Sequence, residues 1–216
     1  MYEGSADMLK RFLFAALLLT ASLPAAAQAP VIAILGDSLS AAYGIPAERG
    51  WTALLQQRLA GEGYRHQVVN ASISGDTTRG GLTRLPSLLE KHRPGVLVVE
   101  LGGNDGLRGV PIAETRANLT QIIERAQAAG AKVVLVGVQL PPNYGKAFTK
   151  RFAAMFDELA REHAVPLVPF ALERIANDSR LMQDDGIHPT AEAQPMMLDL
   201  VWPKLKPVLG APPAKT

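Results

Sequence analysis

Ser38, Asp185 and His188 are the residues on which chemistry can be built. Ser38 lies in Gly36-Asp37-Ser38-Leu39-Ser40, directly after an apolar run, and Asp185 and His188 stand three apart in Asp184-Asp185-Gly186-Ile187-His188-Pro189. A serine hydroxyl is a weak nucleophile until a base accepts its proton. Histidine suits that task, since a free imidazole titrates at about pH 6.5. A carboxylate three residues earlier, with glycine between, can fold back within one short turn and fix the ring's tautomer. The oxyanion formed on acyl transfer needs preorganised donors. The N–H groups of Ser38 and Gly75 and the side-chain amide of Asn104 could supply them, and glycine lets the backbone come close to a ligand. Singly, each residue also has a plain structural role. Ser38 can cap a helix, Asp185 can form a turn, His188 can lie on the surface, Gly75 can permit a positive φ, and Asn104 can stabilise its own loop. Their joint occurrence in loops at strand ends points to ester cleavage through a serine.

These residues must be held by the elements around them. Residues 31–35, rich in β-branched types, form a short buried strand that Gly36 ends. Ser38 is then left at the strand's carboxyl end, where open α/β sheets bind ligands. Residues 51–59 read as a helix with Trp51, Leu54, Leu55 and Leu59 on one face. A second strand at 66–70 leads into a small polar loop, 71–81, and a helix at 82–92 with Pro86 near the start of its main part. A third strand at 96–101 precedes the loop Gly102-Gly103-Asn104-Asp105-Gly106. A helix at 112–129, a strand at 132–138, a loop at 139–146, a helix marked by Phe152, Met155, Phe156 and Leu159, and a strand at 164–170 follow. Thr190 can cap a last helix that buries Met197, Leu200, Val201 and Leu205 and that Pro203 should kink or break. Alternating strands and helices imply one α/β domain with a parallel sheet covered on both faces. The three glycine-bearing loops then share one rim.

The chain has 216 residues, 48% hydrophobic and 19% charged, which describes a globular domain with a full core. A net charge of +2 without a long basic run gives no support for nucleic-acid binding. Without cysteine there is no disulfide, thiolate metal site or cysteine nucleophile. Lys10 and Arg11 precede an apolar run at 12–19 and then Ala25-Ala26-Ala27, the layout of a secretory signal peptide. The run falls short of the roughly 20 apolar residues of a membrane span. Cleavage after Ala27 is expected, leaving 28–216 as the hydrolase domain, exported to the periplasm or secreted, with no stable membrane anchor. Translation could begin at Met1 or Met8.

Four blocks together resemble the GDSL, or SGNH, hydrolases: Gly36-Asp37-Ser38-Leu39-Ser40, Gly75 within Asn70-Ala71-Ser72-Ile73-Ser74-Gly75-Asp76-Thr77, Gly102-Gly103-Asn104-Asp105, and Asp185-Gly186-Ile187-His188-Pro189. The likeness spans about 31–209 and is greatest to the bacterial multifunctional thioesterase, lysophospholipase and arylesterase subgroup. The resemblance implies a flavodoxin-like three-layer α/β/α fold with five parallel strands in the order 2-1-3-4-5. It implies a Ser38, Asp185 and His188 triad, an oxyanion hole from Ser38, Gly75 and Asn104, and no metal or cofactor. The substrate it implies is a small acyl ester or lysophospholipid, and a monomer is expected. By position it carries over 105–110 and 141–144 as substrate contacts, among them Asp105, Leu107, Pro141 and Tyr144. Ordinary loop packing is the alternative for Leu107 and Tyr144. Asp37 is given a loop-bonding role. Phe148 stands where the subgroup leads one to expect tyrosine, which bears on chain-length preference. Other readings remain: a carbohydrate O-deacetylase of the same superfamily, a non-catalytic binding module, and a metal-dependent phosphoesterase using Asp37, Asn104, Asp105, Asp185 and His188.

Overall fold

The computed structural model describes residues 29–169, 172 and 175–212. The expected signal peptide, 1–27, and Phe170 of the expected last strand lie outside them. Strands β1 (Val31–Gly36), β2 (Gln67–Asn70), β3 (Val96–Glu100), β4 (Lys132–Val136) and β5 (Leu167–Val168) form one parallel sheet in the order β2-β1-β3-β4-β5. The helices are α1 (Trp51–Gly61), α2 (Thr78–His92), α3 (Gly103–Leu107), α4 (Ile112–Ala128), α5 (Lys146–Glu162) and α6 (Gln194–Leu209).

Period-two alternation divides the core into two layers. Ala33, Leu35, Leu97, Val99, Val133 and Leu135 meet Leu85 and Leu88 of α2, Leu119, Ile122 and Ile123 of α4, and Phe152, Met155 and Phe156 of α5. Ile32, Ile34, Val96, Val98, Val134, Val136 and Val168 meet Trp51, Leu55 and Leu59 of α1 and Met197, Leu198, Val201 and Leu205 of α6. β1 and β3 carry side chains into both layers, so their strands are apolar almost throughout. Each fully buried Leu, Ile or Phe contributes about 1.5–3 kcal/mol.

Chain order reverses at β1. The chain steps outward to β2 and then crosses back to β3, which opens a crevice beyond the carboxyl ends of β1 and β3. Ser38 and Asn104 follow those two ends.

Several elements differ from the sequence expectation. The loop after β2 ends at Thr77, not residue 81. Thr77 accepts from the Gly80 N–H and starts α2 four residues early, with Pro86 inside the helix. Gly80 and Gly81 are thus helical. A Cβ on Gly81 would come within 2.3 Å of Leu101 Cδ1, so a residue read as a loop former is a packing glycine. Before α6, a 3₁₀ turn (Ala191–Ala193) intervenes, and Thr190 makes no side-chain cap. Pro203 does not break α6, which runs on to Leu209. Pro203 and Asp199 both lie on the exposed face, where water can meet the carbonyl that lacks its N–H donor.

Candidate active site

Ser38 leaves β1 in a tight turn. The N–H of Ala41 donates to the Asp37 carbonyl (2.9 Å) and that of Tyr43 to the Ser38 carbonyl (3.2 Å). The turn puts Ser38 Oγ 2.8 Å from His188 Nε2, across 150 residues of chain. His188 Nδ1 lies 2.6 Å from Asp185 Oδ2. The other oxygen, Oδ1, accepts the N–H groups of Ile187 (2.9 Å) and His188 (3.0 Å). These bonds, from the His188 backbone and ring first and then from Ile187, hold the Asp185 carboxyl down at about 2, so it stays an anion facing the ring. The three residues form an unbroken relay from carboxylate to hydroxyl.

Two residues outside the motifs hold the relay together. Gln183 donates its side-chain amide to the carbonyls of Tyr43 (2.8 Å) and Pro189 (3.0 Å), and its N–H to the His188 carbonyl (2.7 Å). It thereby ties the serine turn to the histidine turn. The Tyr43 ring lies against the His188 imidazole, with centroids 4.4 Å apart. Neither residue carried a sequence signal beyond its nearness to a motif.

Ser38, Gly75 and Asn104, the expected oxyanion donors, line one cleft. Gly75 has φ +79, a conformation that glycine adopts without strain, and its carbonyl accepts from Arg108 Nη2 at 2.8 Å. Among the described residues no protein acceptor engages the N–H of Ser38 or Gly75. The Asn104 amide donates one N–H to Asp37 Oδ2 at 3.0 Å, which leaves its second N–H for a ligand. Asp37 also accepts from the Leu39 N–H at 3.1 Å, in keeping with its expected bonding role. It rests against Glu100, a buried carboxyl group at the end of β3 that sequence reasoning missed. The available signal was one charged residue closing an otherwise apolar strand.

A cleft of about 690 Å³ opens from Ser38, Gly75, Asn104 and His188. Its walls include Leu107, Val138, Leu140, Pro141, Leu172 and Met182. Leu107 and Pro141 are among its lining residues. Asp105 is not. It is buried, and its carboxylate accepts the Thr78 N–H (2.9 Å) and hydroxyl (2.5 Å), so it caps the start of α2 instead of reaching a ligand. Tyr144 stands outside the lining and donates its O–H to the Leu107 carbonyl at 3.2 Å. Phe148 packs toward Phe152, with centroids 5.9 Å apart. The ligand set of the phosphoesterase reading does not assemble. Asp105 faces Thr78 and Asp185 faces the imidazole, and among the described residues no three His, Cys, Asp or Glu side chains are grouped to hold a metal ion.

Residues 34–194 match the GDSL-like Lipase/Acylhydrolase family. The chain is 52% identical over 183 residues to Esterase TesA of Pseudomonas aeruginosa, covering 85% of this chain and 91% of that protein. It is 46% identical over 185 residues to Thioesterase 1/protease 1/lysophospholipase L1 of Escherichia coli, covering 86% and 88%. The crystal structure of the psychrotrophic esterase EstA from Pseudoalteromonas sp., inhibited by monoethylphosphonate, superposes with a TM-score of 0.79 at 42% identity, over 83% of this chain and 98% of that one.

Proposed function

The chain belongs to the GDSL-like lipase/acylhydrolase family, and on that footing we propose that it hydrolyses carboxylic esters and thioesters of acyl groups, arylesters and lysophospholipids among them. Ser38 is the nucleophile, His188 the general base and Asp185 its orienting carboxylate. The observation that carries this reading is the relay of 2.6 Å and 2.8 Å contacts, ending on a hydroxyl at the mouth of an apolar cleft.

The steps follow from the geometry. His188 Nε2 takes the Ser38 proton as Oγ bonds to the acyl carbon. The carbonyl oxygen becomes an oxyanion that receives the N–H groups of Ser38, Gly75 and Asn104. The tetrahedral species collapses, and the alcohol or thiol leaves with the proton held by His188. Water then attacks the acyl-serine, giving its proton to His188, and the free acid departs as Ser38 is restored. Asp185 stays ionised throughout and stabilises the imidazolium. Leu107, Leu140 and Leu172 offer apolar surface to an acyl chain, and this favours longer acyl groups over acetate. Every group named comes from one chain, so a monomer suffices. The apolar run after Lys10 and Arg11 and the Ala25-Ala26-Ala27 that follows support export, which cell fractionation tests.

The test is hydrolysis of p-nitrophenyl esters from acetyl to palmitoyl by the protein and by Ser38→Ala. Turnover that rises with chain length and vanishes in Ser38→Ala is expected. Activity confined to acetyl would favour the O-deacetylase reading, and activity that survives in Ser38→Ala would remove the serine mechanism.

A further inference from the structure

Glu100 closes a strand whose other residues are Val96, Leu97, Val98 and Val99, and it is 4% exposed. Nothing in acyl transfer consumes it. Its Oε2 accepts the Ser40 hydroxyl at 2.8 Å and the Asp37 N–H at 3.3 Å. Its carboxyl group also meets that of Asp37. The surrounding charges are already committed. Arg84 bonds the carbonyls of Gly36 and Ala71 and pairs with Asp76 at 2.8 Å. His188 is held by Asp185, and Asp105 by Thr78. Among the described residues no Lys or Arg pairs with Asp37 or Glu100. Two carboxylates in contact, both buried and without a cation, cannot both be ionised.

We propose that Glu100 is a positioning residue for the oxyanion hole. It is kept as a neutral carboxylic acid that donates its proton to Asp37, while Asp37, the anion of the pair, holds the Asn104 amide so that its second N–H points at the reacting carbonyl. The inference rests on the acyl-transfer reading above. The distribution of donors decides which member carries the proton. Both oxygens of Asp37 already accept, Oδ1 from the Leu39 N–H and Oδ2 from the Asn104 amide. Glu100 Oε2 is occupied by two donors, so its proton belongs on the other oxygen. Burial, and then the neighbouring Asp37 charge, raise the Glu100 carboxyl well above the usual range. Asp37, raised by burial to about 6, is mostly ionised at neutral pH. Asn104 follows Glu100 by four residues, so the strand end and the donor it positions belong to one local unit.

The experiment is a double-mutant cycle on kcat and KM. Glu100→Gln keeps a donor for Asp37 and an acceptor for Ser40, and its kcat should stay within about threefold of the parent, because the amide keeps both bonds. Glu100→Met keeps the length but no polar atom. It should lower kcat about 10- to 100-fold with KM unchanged, the scale of a small misplacement of a catalytic group. In an Asn104→Ala background the same Glu100→Met change should cost almost nothing, because the group it positions is gone. A loss that persists undiminished there, or a Glu100→Gln variant as impaired as Glu100→Met, overturns the proposal. Should Glu100→Met not fold, difference infrared spectra of the parent against Glu100→Gln at neutral pH decide it. A protonated-carboxyl band present in the parent and lost in the variant is expected, and its absence from the parent refutes the proposal. Ser38→Ala in the same assays separates the two readings. Turnover surviving in Ser38→Ala defeats acyl transfer by Ser38, whereas the infrared band reports on Glu100 alone.

Discussion

Asp185→Asn should be at least as damaging as removing the carboxylate, although it preserves shape and almost every contact. Oδ1 of Asp185 accepts two backbone N–H groups at 2.9 and 3.0 Å, while Oδ2 faces His188 Nδ1 at 2.6 Å. An asparagine must place its own oxygen on the two N–H donors, since turning its NH₂ toward them would leave both unmade at about 1–3 kcal/mol each. The NH₂ then points at Nδ1 and forces that nitrogen to accept. The ring proton moves to Nε2, which faces Ser38 Oγ at 2.8 Å and can no longer take its proton. A tautomer fixed the wrong way costs roughly 10⁴ in kcat in serine hydrolases, or about 5 kcal/mol of barrier. The assay is kcat on p-nitrophenyl butyrate for Asp185→Asn and Asp185→Ala, with ¹⁵N NMR of the imidazole to read the protonated nitrogen. The expected result is a loss near 10⁴ for Asn, no smaller than for Ala, with the proton on Nε2. More than a tenth of parental kcat in Asp185→Asn, or a proton on Nδ1, would refute the reasoning.

Asn104→Ala removes one of the three proposed oxyanion donors and should lower kcat by about 10²–10³ with little change in KM; a change confined to KM would contradict its role. Gly81→Ala puts a Cβ 2.3 Å from Leu101 Cδ1. The overpacking, about 1–3 kcal/mol, should exceed the roughly 1 kcal/mol gained in helix propensity and lower the urea midpoint; an unchanged or higher midpoint would show that Leu101 yields freely. Glu100 makes stability depend on pH. Its folded pKa is raised above the roughly 4.3 of the unfolded chain, so the stability it contributes is complete below that value and is lost as pH rises through the folded pKa. Glu100→Gln lacks this loss, so its stability relative to the parent should grow as pH rises above about 5, by up to about 1.4 kcal/mol per unit. Urea titrations at several pH values measure the difference, and a constant difference would refute it.

Glycine, serine and asparagine at strand ends, and histidine in the turn before the last helix, were legible because each has a local reason to be there. Gly36 ends a strand, Gly75 takes a positive φ, and Asp185 reaches His188 within one turn. The parallel sheet was legible in the apolar runs of β1, β3 and β4, which period-two burial on both faces requires. Boundaries were less so. Gly80 and Gly81 looked like loop residues because helix propensity speaks against them, and only the contact with Leu101 explains why α2 holds them. Asp105 looked like a ligand contact because it follows Asn104, yet its carboxylate serves Thr78, 27 residues earlier in the chain.

Side-chain chemistry and short-range spacing already mark the groups proposed to react: nucleophile, base, carboxylate and donors. How they are held came from the folded chain alone. Tyr43 on the imidazole, Gln183 bridging two turns, and Glu100 against Ser40 and Asp37 all depend on contacts between segments 60 to 150 residues apart. Such contacts leave at most a faint mark, such as one charge closing an apolar strand, because packing across the sheet brings them together and the chain between them does not.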